Sequence, residues 1–129
     1  MYMSNEDRAS EMLPGPRVVV VGPCASGKST LVRNLRDLGI DARVSGQEHS
    51  AIRNLWQTLS PDLLIALDID LETVRTRRSA NWPENLYDVQ HARLREAFEV
   101  ADALVDTAKV SEEEVVALVL DVIHQRHPS

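Results

Sequence analysis

The residues with the plainest chemical meaning are Gly22-Pro23-Cys24-Ala25-Ser26-Gly27-Lys28-Ser29. Their types and spacing, G-x-x-x-x-G-K-S, describe a cradle for phosphate. Glycine at 22 and 27 lets the chain curl without Cβ clashes. A curled backbone turns successive N–H groups inward and makes a nest for an anion. A helix opening at Lys28 adds its positive end. Lys28 supplies a point charge for the outer phosphates and Ser29 a hydroxyl for a bridging Mg²⁺. Thr30 supplies a hydroxyl for the phosphate nearest the sugar. The expected contacts of a nucleoside triphosphate are therefore Gly22, Pro23, Cys24, Ala25, Ser26, Gly27, Lys28, Ser29 and Thr30.

The metal needs oxygen ligands beyond Ser29. Asp68 ends the apolar run Leu63-Leu64-Ile65-Ala66-Leu67, so a strand there would aim it at the cradle. Glu48 is the second carboxylate candidate, and water can complete the shell because Mg²⁺ keeps several waters. His49 follows the second strand, on the side where ligands approach α/β sheets, and is a candidate proton acceptor for a substrate hydroxyl. Its other reading is an ordinary surface residue. His91, His124 and His127 have no metal-ligand spacing with one another or with Cys24, so no zinc site is expected.

These groups need elements to hold them. Arg17-Val18-Val19-Val20-Val21 does not alternate, which marks a strand buried on both faces. After the cradle, Leu31, Val32, Leu35 and Leu38 share one helical face, with Gly39 at the stop. Ala42-Arg43-Val44 is a short strand. Ser50 is placed to cap a helix whose face is Ile52, Leu55, Trp56 and Leu59. Leu63 to Leu67 is a second buried strand, followed by a short helix over 71–78 with Asp70 as a candidate cap. An irregular loop is expected over 79–87. Leu94, Ala97, Phe98 and Ala101 mark a further helix, and Ala103-Leu104-Val105 a further buried strand. Ser111 and Glu114 form a capping box ahead of a helix burying Val115, Val116, Val119, Val122 and Ile123. Strands alternating with helices predict an α/β fold with helices on both faces of a small, mostly parallel sheet. Residues 1–16 read as a flexible arm and residues 17–129 as one domain.

Composition narrows the function. The 129 residues are 43% hydrophobic and 26% charged, an ordinary globular mix. One cysteine excludes an internal disulfide framework, and no apolar run is long enough to span a membrane. The N-terminal stretch is polar and acidic, unlike a secretory signal. A cytoplasmic protein is expected. Net charge is −6, which argues against nucleic acid as a partner. Residues 1–64 balance seven basic against seven acidic side chains, while residues 65–129 hold seven against thirteen. An anion should therefore prefer the first half.

Over Arg17 to Leu38 the chain resembles the P-loop NTPases, whose Walker A motif is the cradle above. Two branches are similar further on. Residues 61–78 resemble the late strand and lid helix of adenylate and thymidylate kinase-like enzymes. That resemblance implies that Arg75, Arg77 or Arg78 clamps the transferring phosphoryl group. Residues 101–107 and 111–116 look like the last strand and helix of such small kinases. Gly46-Gln47-Glu48 looks like the second switch of Ras-type GTPases, which implies that Gln47 orients an attacking water. The guanine-reading Asn-Lys-x-Asp of that branch is absent, so guanine specificity has no support and ATP is expected ahead of another nucleoside triphosphate.

The kinase resemblance implies phosphoryl transfer from Mg-ATP to a small-molecule acceptor, with Lys28, Arg75 and Arg78 as catalytic groups and Arg77 as the alternative arginine. Only residues 39–62 separate the cradle helix from the lid strand, so a bulky acceptor would need a wall from elsewhere, for example from a second copy of the chain. Two alternatives stand beside it: a hydrolase or switch using Gln47, and a non-catalytic nucleotide-binding regulator.

Overall fold

The computed structural model of the protein describes residues 15–127. Nearly all of the arm expected over residues 1–16 falls outside them. The strands are β1 (Val18–Val21), β2 (Ala42–Val44), β3 (Leu63–Asp68) and β4 (Ala103–Asp106). The helices are α1 (Lys28–Asp37), α2 (Leu71–Arg77), α3 (Glu84–Val100) and α4 (Glu112–Arg126). Two 3-10 turns, Gln47–His49 and Leu55–Leu59, lie between β2 and β3.

The strands pair in parallel in the order β2-β1-β3-β4. Val18 sits opposite Ala42 on one side and Leu63 on the other, and Asp68 opposite Asp106. The four valines of β1 explain the layers. Val18 and Val20 face Leu31 and Leu35 of α1 and Val115 and Val119 of α4. Val19 and Val21 face Trp56, Leu94 and Ala97, the last two on α3. All four are fully buried, each side chain stabilising the fold by roughly 1.5–3 kcal/mol. A sheet covered on both faces gives three α/β/α layers, as the sequence predicts.

Strand order reverses between β1 and β3, since the chain passes first to β2 on one side and then to β3 on the other. The crevice outside the carboxyl ends at such a point is where α/β sheets take ligands. The 22–29 loop leaves β1 there.

Local signals hold at two of the four helix starts. Asp70 caps α2 by accepting from the Thr73 amide (2.7 Å). Ser111 and Glu114 make both bonds of the capping box on α4 (3.1 and 3.3 Å).

The continuous helix expected after Ser50 does not form. Asn54 and Ser60 take left-handed backbone conformations (φ 59° and 54°), and the chain reverses instead of propagating. Ser50 accepts from the Ile52 amide (3.0 Å), a local bond that competes with helix. Ile52 is left 64% exposed. Gln47 takes over as the organiser: its Nε2 donates to the Ile52 carbonyl (2.8 Å) and its Oε1 accepts from the Trp56 amide (3.2 Å). In the other direction, α3 starts ten residues before Leu94, directly after Pro83, so the loop expected over 79–87 is shorter.

Candidate functional site

The loop after β1 has the shape its glycines imply. A Cβ on Gly22 would lie 2.5 Å from Ser26 Oγ and 2.7 Å from the Leu67 carbonyl oxygen, so no side chain fits. Gly27 adopts φ 94° and caps α1 from the left-handed region. Ala25 is also left-handed, at φ 68°. The first amides of α1 have no partner within the helix and stand free for an anion.

The loop is anchored from three directions. Thr107, just past β4, donates its hydroxyl to the Ser26 carbonyl (2.8 Å) and its amide to the Asp68 carbonyl (2.9 Å). Arg77 at the end of α2 donates to the Ala25 carbonyl (2.9 Å) and the Thr107 carbonyl (2.8 Å). Gln90 on α3 accepts from the Cys24 amide (3.0 Å) and donates to Cys24 Sγ (3.2 Å).

A cleft of about 410 Å³ opens over this loop. It is lined by Ala25, Ser26, Gly27, Lys28, Ser29 and Thr30, by Asn34 of α1, by Arg77 and Arg78, and by Thr107, Val110, Glu112 and Val115 near α4. One end is thus cationic and rich in amides, and the other partly apolar. Gly22 and Pro23 lie beneath the loop, where their carbonyls hold Lys28 Nζ (2.8 and 3.1 Å). The third contact of that ammonium is Glu48 Oε2 at 2.6 Å. Glu48 is 3% exposed, and its Oε1 is buried without a partner among the described residues. Lys28 therefore folds back on its own loop, each of its donors matched to an oxygen.

Several expected residues stand elsewhere. Asp68 is not among the residues lining the cleft. Its Oδ1 faces His91 Nε2 (2.7 Å) and accepts from the Ile69 amide (2.9 Å), so the carboxylate belongs to α3 rather than to the loop. Register explains this: Asp68 is the last residue of β3, where the side chain meets the α3 layer. The carboxylate that does reach Lys28 is Glu48.

Gln47 is 2% exposed, and both ends of its amide are engaged in the 45–62 connection. It lines a separate cleft, with Ile52, Trp56 and Arg93, and is not placed to orient a water at the phosphate loop. Among the three arginines, Arg77 and Arg78 line the cleft. Arg75 turns away and donates to the Trp82 carbonyl (3.1 Å). Positions 75 and 77 point to opposite sides of α2, and Arg78 is the C-cap residue just past its end.

His91 carries no role in the sequence reading, yet it is the partner that takes Asp68. Its Nδ1 lies 3.0 Å from the Tyr87 carbonyl, so acceptors face both ring nitrogens. The hydrogen bond to Asp68, above all, raises its pKa from the ordinary 6.5, against an opposing effect of burial. The spacing of Tyr87 and His91 on one helical face was the available signal. Cys24 faces α3 and the Gln47–His49 turn, with His49 Nε2 3.9 Å from its sulfur.

The three-layer α/β/α sheet with a glycine loop after β1 is the fold that P-loop kinases have. Two solved structures with this fold are similar over nearly their whole lengths. One is a shikimate kinase from Acinetobacter baumannii in complex with shikimate, 16% identical, covering 94% of this chain and 99% of its own, with a TM-score of 0.65. The other is the YorR protein of Bacillus subtilis in complex with phosphorylated GDP, 12% identical, covering 88% of this chain and 98% of its own, with a TM-score of 0.61. No protein-family model matches the sequence, and no curated protein does. Among the described residues, no helix is long and apolar enough to cross a membrane.

Proposed function

We propose that the protein binds a nucleoside triphosphate with Mg²⁺ in the cleft over residues 25–30 and transfers the terminal phosphoryl group to a small-molecule acceptor. The observation that carries this reading is the convergence on one cleft of the amide cradle, Lys28, Arg77 and Arg78. ATP is the favoured nucleotide, because the guanine signature is missing. The base would rest at the apolar end of the cleft, near Val110 and Val115.

The residues fit the metal. Ser29 is exposed and lines the cleft, and Mg²⁺ completes its shell with water. When bound, the ion neutralises charge on the outer phosphates. Lys28 exchanges its contacts with Glu48 and the loop carbonyls for phosphate oxygens. Arg77 and Arg78 stabilise charge as the phosphoryl group leaves. Glu48, released from Lys28, takes the proton of the acceptor hydroxyl, which requires a positioned base within reach.

A small acceptor suits the connection between β2 and β3, which holds only two 3-10 turns before β3 begins. The similarity to a structure carrying shikimate supports the same class of acceptor. Arg93 donates to the Glu48 carbonyl (3.4 Å) and brings a further cation to that side.

The test is turnover of ATP and GTP with Mg²⁺ across a panel of small hydroxylated acceptors, with Lys28→Ala alongside. Acceptor-dependent turnover that Lys28→Ala loses supports the reading. Saturable nucleotide binding with no turnover for any acceptor refutes phosphoryl transfer and favours a nucleotide-binding regulator.

A further inference from the structure

Outside the phosphate cleft, three metal-ligating side chains meet behind the loop. Cys24 Sγ, His49 Nε2 and a carboxylate oxygen of Glu48 all lie within 4.8 Å of one another. Sulfur and His49 Nε2 are 3.9 Å apart, and His49 Nε2 and Glu48 Oε2 are 3.7 Å apart. We propose that Cys24, Glu48 and His49 form a binding site for Zn²⁺, independent of the nucleotide reading.

Geometry is close to what zinc needs. With Zn–S of about 2.3 Å and Zn–N of about 2.0 Å, tetrahedral angles put sulfur and nitrogen about 3.5 Å apart. Only a few tenths of an ångström separate that from the observed spacing. The chemistry agrees as well. A thiolate, an imidazole and a carboxylate select a borderline-soft cation such as Zn²⁺, whereas Mg²⁺ wants oxygen alone. Three protein ligands leave a fourth position for water.

A second observation points to a missing partner. Glu48 is 3% exposed and its Oε1 has no hydrogen bond among the described residues, although a buried carboxylate oxygen is costly to leave alone. The oxygen next to His49 is Oε2, which also holds Lys28, so a cation there either shares Oε2 with the ammonium or turns the carboxylate to use the unpaired Oε1. Gln90 already holds the sulfur from behind, with Nε2 3.2 Å away, and so fixes its direction as outer hydrogen bonds do at metal centres. Binding deprotonates Cys24, the proton passes to solvent, and the thiolate enters the shell. The sequence hid the set because Cys24 and His49 are 25 residues apart and only the β1–β2 pairing brings their loops together.

The site would have a consequence for the loop. Zinc draws on the same carboxylate that holds Lys28, and it ties the 22–29 loop to the Gln47–His49 turn. Zn²⁺ should therefore inhibit any reaction that needs Glu48 free.

The experiment strips the full chain with a chelator and titrates Zn²⁺ against a chromogenic competitor, then repeats with Co²⁺ and reads the thiolate-to-cobalt absorption. Cys24→Ser and His49→Gln are compared, the second being an exposed residue whose change should leave folding intact. One Zn²⁺ per chain, weakened at least about tenfold in each variant, and a cobalt band lost in Cys24→Ser, is the expected result. No stoichiometric binding, or a wild-type affinity retained in both variants, overturns the proposal.

Discussion

The loop after β1 and the connection after β2 sit side by side at the carboxyl ends of the sheet, yet they are built on different principles. Residues 22–29 are shaped by backbone demands: a glycine where a Cβ would strike Ser26 and Leu67, another where φ is 94°, then a helix start. Residues 45–62 are shaped by one side chain. Gln47 substitutes for missing backbone partners of Ile52 and Trp56 while Asn54 and Ser60 turn the chain left-handed. Backbone demands leave a local pattern that a sequence displays. A side chain acting as backbone leaves only a glutamine among polar neighbours.

In the first region, Lys28 carries the most. Lys28→Ala should lower turnover by about 10²–10³-fold, as loss of a preorganised charge on the reacting group does. It should also destabilise the fold by about 3 kcal/mol, because Glu48 is left charged and buried. Adding Glu48→Gln should recover most of that stability and none of the turnover, read by urea unfolding and steady-state rates. A single variant with normal stability would mean that the Lys28–Glu48 pair does not persist in solution.

The second region predicts a smaller, purely structural loss. Gln47→Leu should cost about 2–3 kcal/mol, since it strands the Ile52 carbonyl and the Trp56 amide. Ile52→Ser should stay within about 0.5 kcal/mol because the side chain is 64% exposed. The reverse order in urea unfolding would restore the amphipathic helix that the periodicity implied.

The arginines beside the cleft differ in the same way. Arg77→Ala should reduce turnover about tenfold or more, through lost charge and a loosened Ala25 and Thr107. Arg75→Ala should remain within about twofold, since its guanidinium reaches Trp82 instead. Equal losses would mean that α2 rotates over the cleft during the reaction.

The smallest effect concerns the carboxylate that left the site. The Asp68 hydrogen bond raises the His91 pKa above 6.5, with burial opposing it. Tyr87 stacks on the ring, and Asp88 adds negative charge nearby. The folded state therefore binds this proton more tightly than the unfolded chain. Its stabilisation is complete below about 6.5 and fades as pH rises through the elevated pKa. Thermal unfolding from pH 6 to 9 should show that decline in the wild type and a flatter profile in His91→Gln. Identical profiles would remove the ion pair from the account.

The same contrast explains what the sequence disclosed. The valine run of β1, the apolar run of β3 and the capping box of α4 each depend on neighbours in sequence, and each appears as read. Asp68 was placed correctly at a strand end, but its direction depended on His91, twenty-three residues away in a different layer. Glu48 became the partner of Lys28 through strand order, which no local pattern encodes. The three arginines of residues 75–78 were legible as a group, while the choice among them depended on the angle at which α2 meets the loop.

The central claim is that the cleft over residues 25–30 holds the phosphates of a nucleotide. Isothermal titration of ATP with Mg²⁺ into the wild type and Lys28→Ala, both confirmed folded by circular dichroism, tests it most directly. Saturable binding at one nucleotide per chain, weakened at least about tenfold in the variant, is the expected result. Absence of saturable binding by ATP and GTP, or affinity that Lys28→Ala leaves unchanged, would contradict it.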